Sequence, residues 1–198
     1  HSADVWAHAQ QFLLDDRLEP HVVAGVPPDY FSPTGQRWGN PLYNWEAMAH
    51  NGFGWWKNRL VHQFRQVDVV RLDHFRGFEA HWEIPADEPT AVAGRWRHGP
   101  GLAFFEAIQD ELGPLPIIAE DLGMITPEVT ALREACGYPG MRILQFAFGS
   151  GPGNPYLPHN LERRCVAYTG THDNDTSVGW WNSAPTGEKH AAREYLGT

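Results

Sequence analysis

Four short apolar runs limit the folds open to this chain: residues 67–73, 116–121, 141–148 and 165–168. Each ends in polar or charged residues. Between them lie segments of helical period or glycine- and proline-rich stretches. Leu102, Phe105, Ile108 and Leu112 recur at helical spacing, and Gly113, Pro114 and Pro116 end that segment. Thr126 is placed to cap a second helix with Pro127 at its first position, Val129 and Leu132 facing inward and Gly137 as the stop. Strand, helix, strand, helix, strand is the signature of right-handed βαβ units and a parallel sheet. The expected fold class is therefore α/β.

The run Val67 to Gly77, VDVVRLDHFRG, carries the densest chemistry. On a strand of period two, Val67, Val69, Arg71 and Asp73 share one face. A guanidinium then lies beside a carboxylate at the strand's C-terminal end, which favours the ionised form that a carboxylate nucleophile needs. An ordinary structural ion pair has the same appearance. Two further acids, Glu120 and Asp173, fall after other strands, and three carboxylates converging on one rim are less readily incidental. In a (β/α)8 barrel the C-terminal ends of the strands are where active sites are built.

Other segments read less regularly. Val5 to Phe12 suggests a short helix capped by Asp4 or Ser2, and Trp45 to Phe64 one helix with Trp56, Leu60, Val61 and Phe64 on a face. His21 to Trp45 and Phe78 to Pro100 lack periodicity and read as long loops, of the kind that are commonly functional. A short helical segment is expected from Leu161, and another helix within 176–198.

Composition narrows the function. A formal net charge of −9 with no basic run argues against nucleic acid or an anionic membrane as partner. No apolar segment approaches the roughly 18 residues of a membrane span. Two cysteines, Cys136 and Cys165, form neither a CxxC motif nor a disulfide framework, so a reducing cytoplasm is expected, although one disulfide between them stays open. Nine Trp, ten Phe and six Tyr, many among Gly, Pro and Asn, suit a concave site where rings stack on a ligand; a large interface would look similar. The abrupt opening HSADVWAHAQQF suggests a piece of a longer chain. His74, His172, Asp173 and Asp175 are the residues nearest to a metal set, but they lack a two-His helix spacing or a Cys partner, which argues against one. GSGPGNP lacks the features of a phosphate loop.

At RLDHFRG, AEDLG and THDND the chain resembles the amylomaltases, or 4-α-glucanotransferases, of the α-amylase superfamily. PPDYFSPTGQRWGNPLYNW and FGSGPGNPYLPHN resemble amylomaltase motifs in particular. The resemblance implies a (β/α)8 TIM barrel represented here by an incomplete segment, about strands 4 to 7, over residues 1–198, with 21–45 as an acceptor loop. It implies no cofactor and no metal. It also implies Asp73 as nucleophile kept ionised by Arg71, Glu120 as general acid and base with a pKa raised by burial and negative neighbours, and Asp173 as transition-state stabiliser with His172 on the sugar hydroxyls. Tyr30, Gly35, Gln36 and Trp38, then Asn154 and Pro155, are the expected substrate contacts. The implied substrates are maltooligosaccharides and other α-1,4-glucans, with glucose as acceptor. A hydrolase of the same superfamily and a non-catalytic glucan-binding protein are the alternatives. Asp121 points to the opposite strand face and is expected to be structural.

Overall fold

The computed structural model describes residues 3–29 and 32–197. Helix α1 (Ala3–Ala7) leads into a 3-10 turn at Ala9–Gln11, so the expected first helix divides in two. Ser2 lies outside the described residues. Strands β1 (Val22–Val26) and β2 (Gln36–Pro41) follow, then helices α2 (Trp45–His50) and α3 (Gly54–Phe64). Next come β3 (Val70–Leu72), β4 (Ala80–Pro85), β5 (Arg95–His98), α4 (Gly101–Leu112) and β6 (Ile117–Ala119). The chain continues through α5 (Pro127–Cys136), β7 (Gly140–Ile143), β8 (Cys165–Tyr168), α6 (Ser177–Ser183) and α7 (Thr186–Leu196).

Strands β3 and β6 pair in parallel, as do β7 and β8. The Ala119 N–H donates to the Pro139 carbonyl at 2.9 Å, just before β7, which sets the two pairs side by side. Helix α5 makes the crossover from β6 to β7. Its N-terminus falls where expected, with Thr126 in extended backbone, but the Thr126 side chain makes no capping bond and turns to Glu128 instead. Gly137 ends α5 in the left-handed conformation, φ 71°, which glycine adopts without steric cost. The region from Leu161 forms no helix; a 3-10 turn at Pro158–Asn160 precedes it.

The four-stranded sheet corrects the reading of the long loops. It is antiparallel, in the order β2-β1-β4-β5, and is built from residues 22–41 and 80–98. Val23 faces Ile84 and Trp82 faces Trp96 across it. Its strands carry Gly25, Gly39, Pro41 and Arg-rich segments with little alternation. What makes them strands is mutual pairing across about 60 residues of sequence, which local periodicity does not report. At Gly25 the approach is close: a Cβ there would lie 2.1 Å from the Gln36 carbonyl oxygen.

The expected single helix over 45–64 is broken in the middle. Asn44 caps α2 by accepting the Ala47 N–H at 3.0 Å, and α2 ends at Asn51 and Gly52. Phe53 then takes a left-handed conformation, φ 58°, and its ring is buried beside Phe104. The main core lies between α2–α5 and the β3-β6 pair, with Phe75, Phe104, Phe105, Ile108 and Val129 fully buried. Tyr43 and Trp45 are half-buried and pack on this aromatic core through Trp55, Trp56 and Phe78.

Asp121 is a buried strut, as expected. It is 5% exposed, accepts the Met141 N–H at 2.7 Å, and faces Arg142 and Arg133, each at 3.3 Å. Glu162 closes the set, 3.1 Å from each of the same two arginines. Removing one member of such a buried set leaves an uncompensated charge, which costs about 3–5 kcal/mol. Asp121→Ala is therefore expected to lower the urea midpoint by an equivalent amount, and Gly140→Ala to do so by sterics, since a Cβ at Gly140 would lie 2.4 Å from the Asp121 carboxylate.

Candidate active site

The parallel strands end on a cleft of about 1780 Å³, walled on another side by the antiparallel sheet. Only Val70–Leu72 of the expected first strand is paired; Val67 and Val69 lie before it, half exposed. The chain then turns sharply through Asp73 and His74 into a 3-10 segment at Phe75–Phe78. Arg71 and Asp73 share a face, as the period of two implies, and the Arg71 Nη1 lies 2.7 Å from Asp73 Oδ1. The Arg71 Nε points to the Met141 sulfur at 3.3 Å, so the guanidinium is held from β7 as well. Asp73 itself is open to the cleft, its side chain 74% exposed.

Glu120 follows β6 directly and is tied to the turn beside it. Its N–H donates to the Leu72 carbonyl at 3.0 Å and its carbonyl accepts from Phe75 N–H at 3.0 Å. Its carboxyl accepts the His74 N–H on Oε2 at 2.7 Å and the Leu122 N–H on Oε1 at 3.0 Å. Burial pushes this carboxyl above the usual glutamate range; the two N–H donors and Arg71 oppose the shift, and Asp73 adds slightly to it. Burial therefore leads, with the negative neighbour as a minor contribution. A group so placed holds a proton further up the pH scale while keeping a carboxylate well supported once the proton leaves.

Asp173 and His172 stand on the turn after β8, both open to the cleft, with His172 Nε2 3.4 Å from Asp173 Oδ1. The turn is organised by Asn174, whose Oδ1 accepts from Thr171 N–H at 2.9 Å and from the Thr171 hydroxyl at 3.0 Å. Gln145 anchors it from the β7 side by donating to the Asp175 carbonyl at 2.9 Å. The three carboxylates thus share one cleft.

The expected substrate contacts divide. Gln36 and Trp38 line the cleft, the Trp38 indole N–H donating to Gln36 Oε1 at 3.1 Å. Tyr30 lies outside the described residues. Gly35 does not line the cleft; with φ 66° it makes a turn packed on the Val26 carbonyl and Ala91. Pro155 lines the cleft. Asn154 borders it, but its amide is committed within its own loop, to the Phe146 carbonyl, the Ser150 hydroxyl and the Tyr156 N–H.

Other lining residues carry no substrate-contact expectation from the sequence. Phe146 belongs to an apolar run and reads as core, yet a 3-10 turn at Leu144–Phe146 ends β7 and leaves the ring exposed, edge-on to Tyr156. Trp96 lines the cleft with the Arg76 guanidinium 4.0 Å from its ring centroid, a pairing of β5 with the 3-10 segment Phe75–Phe78 that has no local signature. His74 lies against Trp38, its pKa brought down to about 4 chiefly by burial and next by the Arg76 charge. Among the described residues no group of three or more His, Cys, Asp or Glu is arranged to hold a metal ion.

Solved structures share this fold. An amylomaltase from Streptococcus agalactiae in complex with acarbose superposes with a TM-score of 0.94 at 41% identity, over 100% of this chain and 40% of that one. The amylomaltase of Corynebacterium glutamicum superposes with a TM-score of 0.78 at 26% identity, over 99% of this chain and 27% of that one. The fold is that of a TIM-barrel protein, present here as a segment, with a carboxylate-bearing cleft at its strand ends. The 4-alpha-glucanotransferase family profile matches residues 1–198, and the chain belongs to that family. It is 57% identical over 197 residues to a 4-alpha-glucanotransferase of Thermus thermophilus, which covers 98% of this chain and 39% of the relative. It is 54% identical over 196 residues to the chloroplastic/amyloplastic 4-alpha-glucanotransferase of Solanum tuberosum, covering 99% and 34%. The chain thus spans less than two fifths of the length of these two relatives.

The His74 shift has a stability consequence. Its folded pKa lies below the unfolded value of 6.5, so the unfolded state binds more protons between the two. Its contribution is complete above pH 6.5 and is lost as pH falls towards 4, by as much as about 3 kcal/mol. Unfolding free energies measured at pH 7 and pH 4.5 should differ less in His74→Phe than in the unsubstituted protein.

Proposed function

We propose that the chain carries the catalytic centre of a retaining 4-α-glucanotransferase, on about strands 4 to 7 of the barrel. The observation that carries the reading is the Glu120 arrangement: a half-buried carboxyl, hydrogen-bonded to the turn that bears the exposed Asp73, with Asp173 and His172 on the same cleft. Asp73, paired with Arg71, attacks the anomeric carbon of an α-1,4-glucan while Glu120 gives its proton to the leaving oxygen. A covalent glucosyl-Asp73 intermediate forms. Glu120, now ionised, removes the proton from the 4-hydroxyl of an acceptor glucan or glucose, which displaces Asp73 with retention. Asp173 and His172 hold the hydroxyls of the reacting sugar and support its developing positive charge.

The segment 21–45 forms the acceptor side, with Trp38 as the stacking surface and Gln36, beside it, as a hydroxyl partner. Tyr30, Gly35, Asn154 and Pro155 complete the set proposed from sequence, Gly35 and Asn154 acting through loop shape. Maltooligosaccharides and other α-1,4-glucans are the donors, and no cofactor takes part. Among the described residues no helix is long and apolar enough to cross a membrane. Two free cysteines suit a cytoplasmic setting.

Maltotriose supplied to the intact protein tests the reading. Longer maltooligosaccharides together with glucose, abolished in Asp73→Asn, are expected; maltose and glucose without longer products would establish a hydrolase instead, and binding without turnover a non-catalytic protein. Turnover should also fall on the alkaline side as Glu120 loses its proton, at a pH above the ordinary glutamate range. Glu120→Gln should reduce turnover about 100-fold or more and remove that limb.

A further inference from the structure

His74 joins three parts of the cleft. It follows Asp73 in the chain, its N–H donates to Glu120 Oε2 at 2.7 Å, and its ring meets Trp38 edge-on, centroids 4.8 Å apart at 86°. Its backbone is left-handed, φ 47° and ψ 52°. Glycine takes this conformation freely and Asn tolerates it, whereas a bulky ring does so at a cost. Gly77 makes room for the ring: a Cβ there would lie 3.1 Å from His74 Cδ2. The turn's geometry alone would be met better by Asn or Gly, so the ring has a use of its own.

That use lies across the cleft. Trp38 sits on β2, an edge strand of the antiparallel sheet, paired with β1 alone. Of the β2 residues only Pro41 is buried, so the strand has little packing to hold its position. The Trp38 side chain is 45% exposed, yet its indole is pinned at two points, Gln36 and His74. Of these, Gln36 is on the same strand. His74 is the contact that relates the indole to the catalytic carboxylates.

We propose that His74 is a positioning residue whose ring registers Trp38 over the Asp73–Glu120 pair, so that an acceptor sugar stacked on the indole presents its hydroxyl to the glucosyl-enzyme. This deepens the glucan-transfer reading and rests on it. An acceptor competes with water for the same intermediate, and a preformed stacking surface favours the sugar by reducing the ordering needed on binding. Loss of the ring leaves the carboxylates in place and loosens the acceptor wall.

His74→Asn is the suited variant, because Asn keeps the left-handed turn and removes the ring. The intact protein is supplied with maltotriose and labelled glucose, and the acceptor KM is measured with the ratio of hydrolysis to transfer. His74→Asn should raise the acceptor KM about 3- to 10-fold, the worth of one aromatic contact, and shift the products towards hydrolysis. Trp38→Ala should do the same, and the double variant should be no worse than Trp38→Ala, since the two substitutions remove one coupling. His74→Phe, which retains an edge for the indole, should restore the acceptor KM. An unchanged acceptor KM in His74→Asn, with turnover lowered as a whole, overturns the coupling alone, as do additive effects in the double variant. An unsubstituted protein that elongates nothing overturns the glucan-transfer reading and the coupling with it.

Discussion

The pairing of β3 with β6 underlies the whole site. Three parallel register pairs, Val70 with Ile117, Arg71 with Ile118 and Leu72 with Ala119, end where Glu120 begins. The ladder then continues past the strands through the Glu120 backbone, which gives a hydrogen to Leu72 and takes one from Phe75. Because the same residue's carboxyl accepts the His74 N–H, main-chain pairing and catalytic geometry are one structure. A shift of one residue in this register would turn Arg71 and Glu120 to the other face and remove the site.

Around that ladder, charge is sorted by burial. Asp121, next to Glu120, faces the far side and neutralises Arg133 and Arg142 in the packed region between α5 and β7. Glu120 is half-buried, and that burial outweighs the opposing Arg71 charge, so its carboxyl retains the proton more firmly. Asp73 has Arg71 and open solvent. Three neighbouring carboxylates thus sit in three different surroundings: a buried ion-pair set, a half-buried hydrogen-bonded turn and the open cleft. The same environment holds the His74 ring neutral at ordinary pH, which lets it serve as an aromatic edge beside the Arg76 cation.

The antiparallel sheet adds what a bare set of parallel strands lacks, a wall. Trp38, Trp82 and Trp96 come from three of its strands, yet all line the same cleft as the carboxylates. Other rings serve two surfaces. Tyr43, Trp45 and Trp56 also border the cleft while packing on the aromatic core, where their area stabilises the helices against β3 and β6. Richness in rings alone does not show which of them the sheet brings to the cleft and which the core does.

The amino-acid sequence by itself determined the parallel strands, the helices α4 and α5 with their ends, the Arg71–Asp73 pair and the acidic residues at strand ends. These are short-range properties: apolar period, Pro and Gly stops, and two-residue spacing along a strand. It also marked Asp121 as turned away from the cleft, since adjacent strand residues alternate faces. Only the tertiary structure decided that residues 22–41 and 80–98 pair as a sheet, that Phe146 turns outward, that Gly35 and the Asn154 amide serve their own loops, and that the His74 ring meets Trp38. Each of those depends on partners distant in the chain, and pairing energy between distant segments leaves no periodic trace in either one.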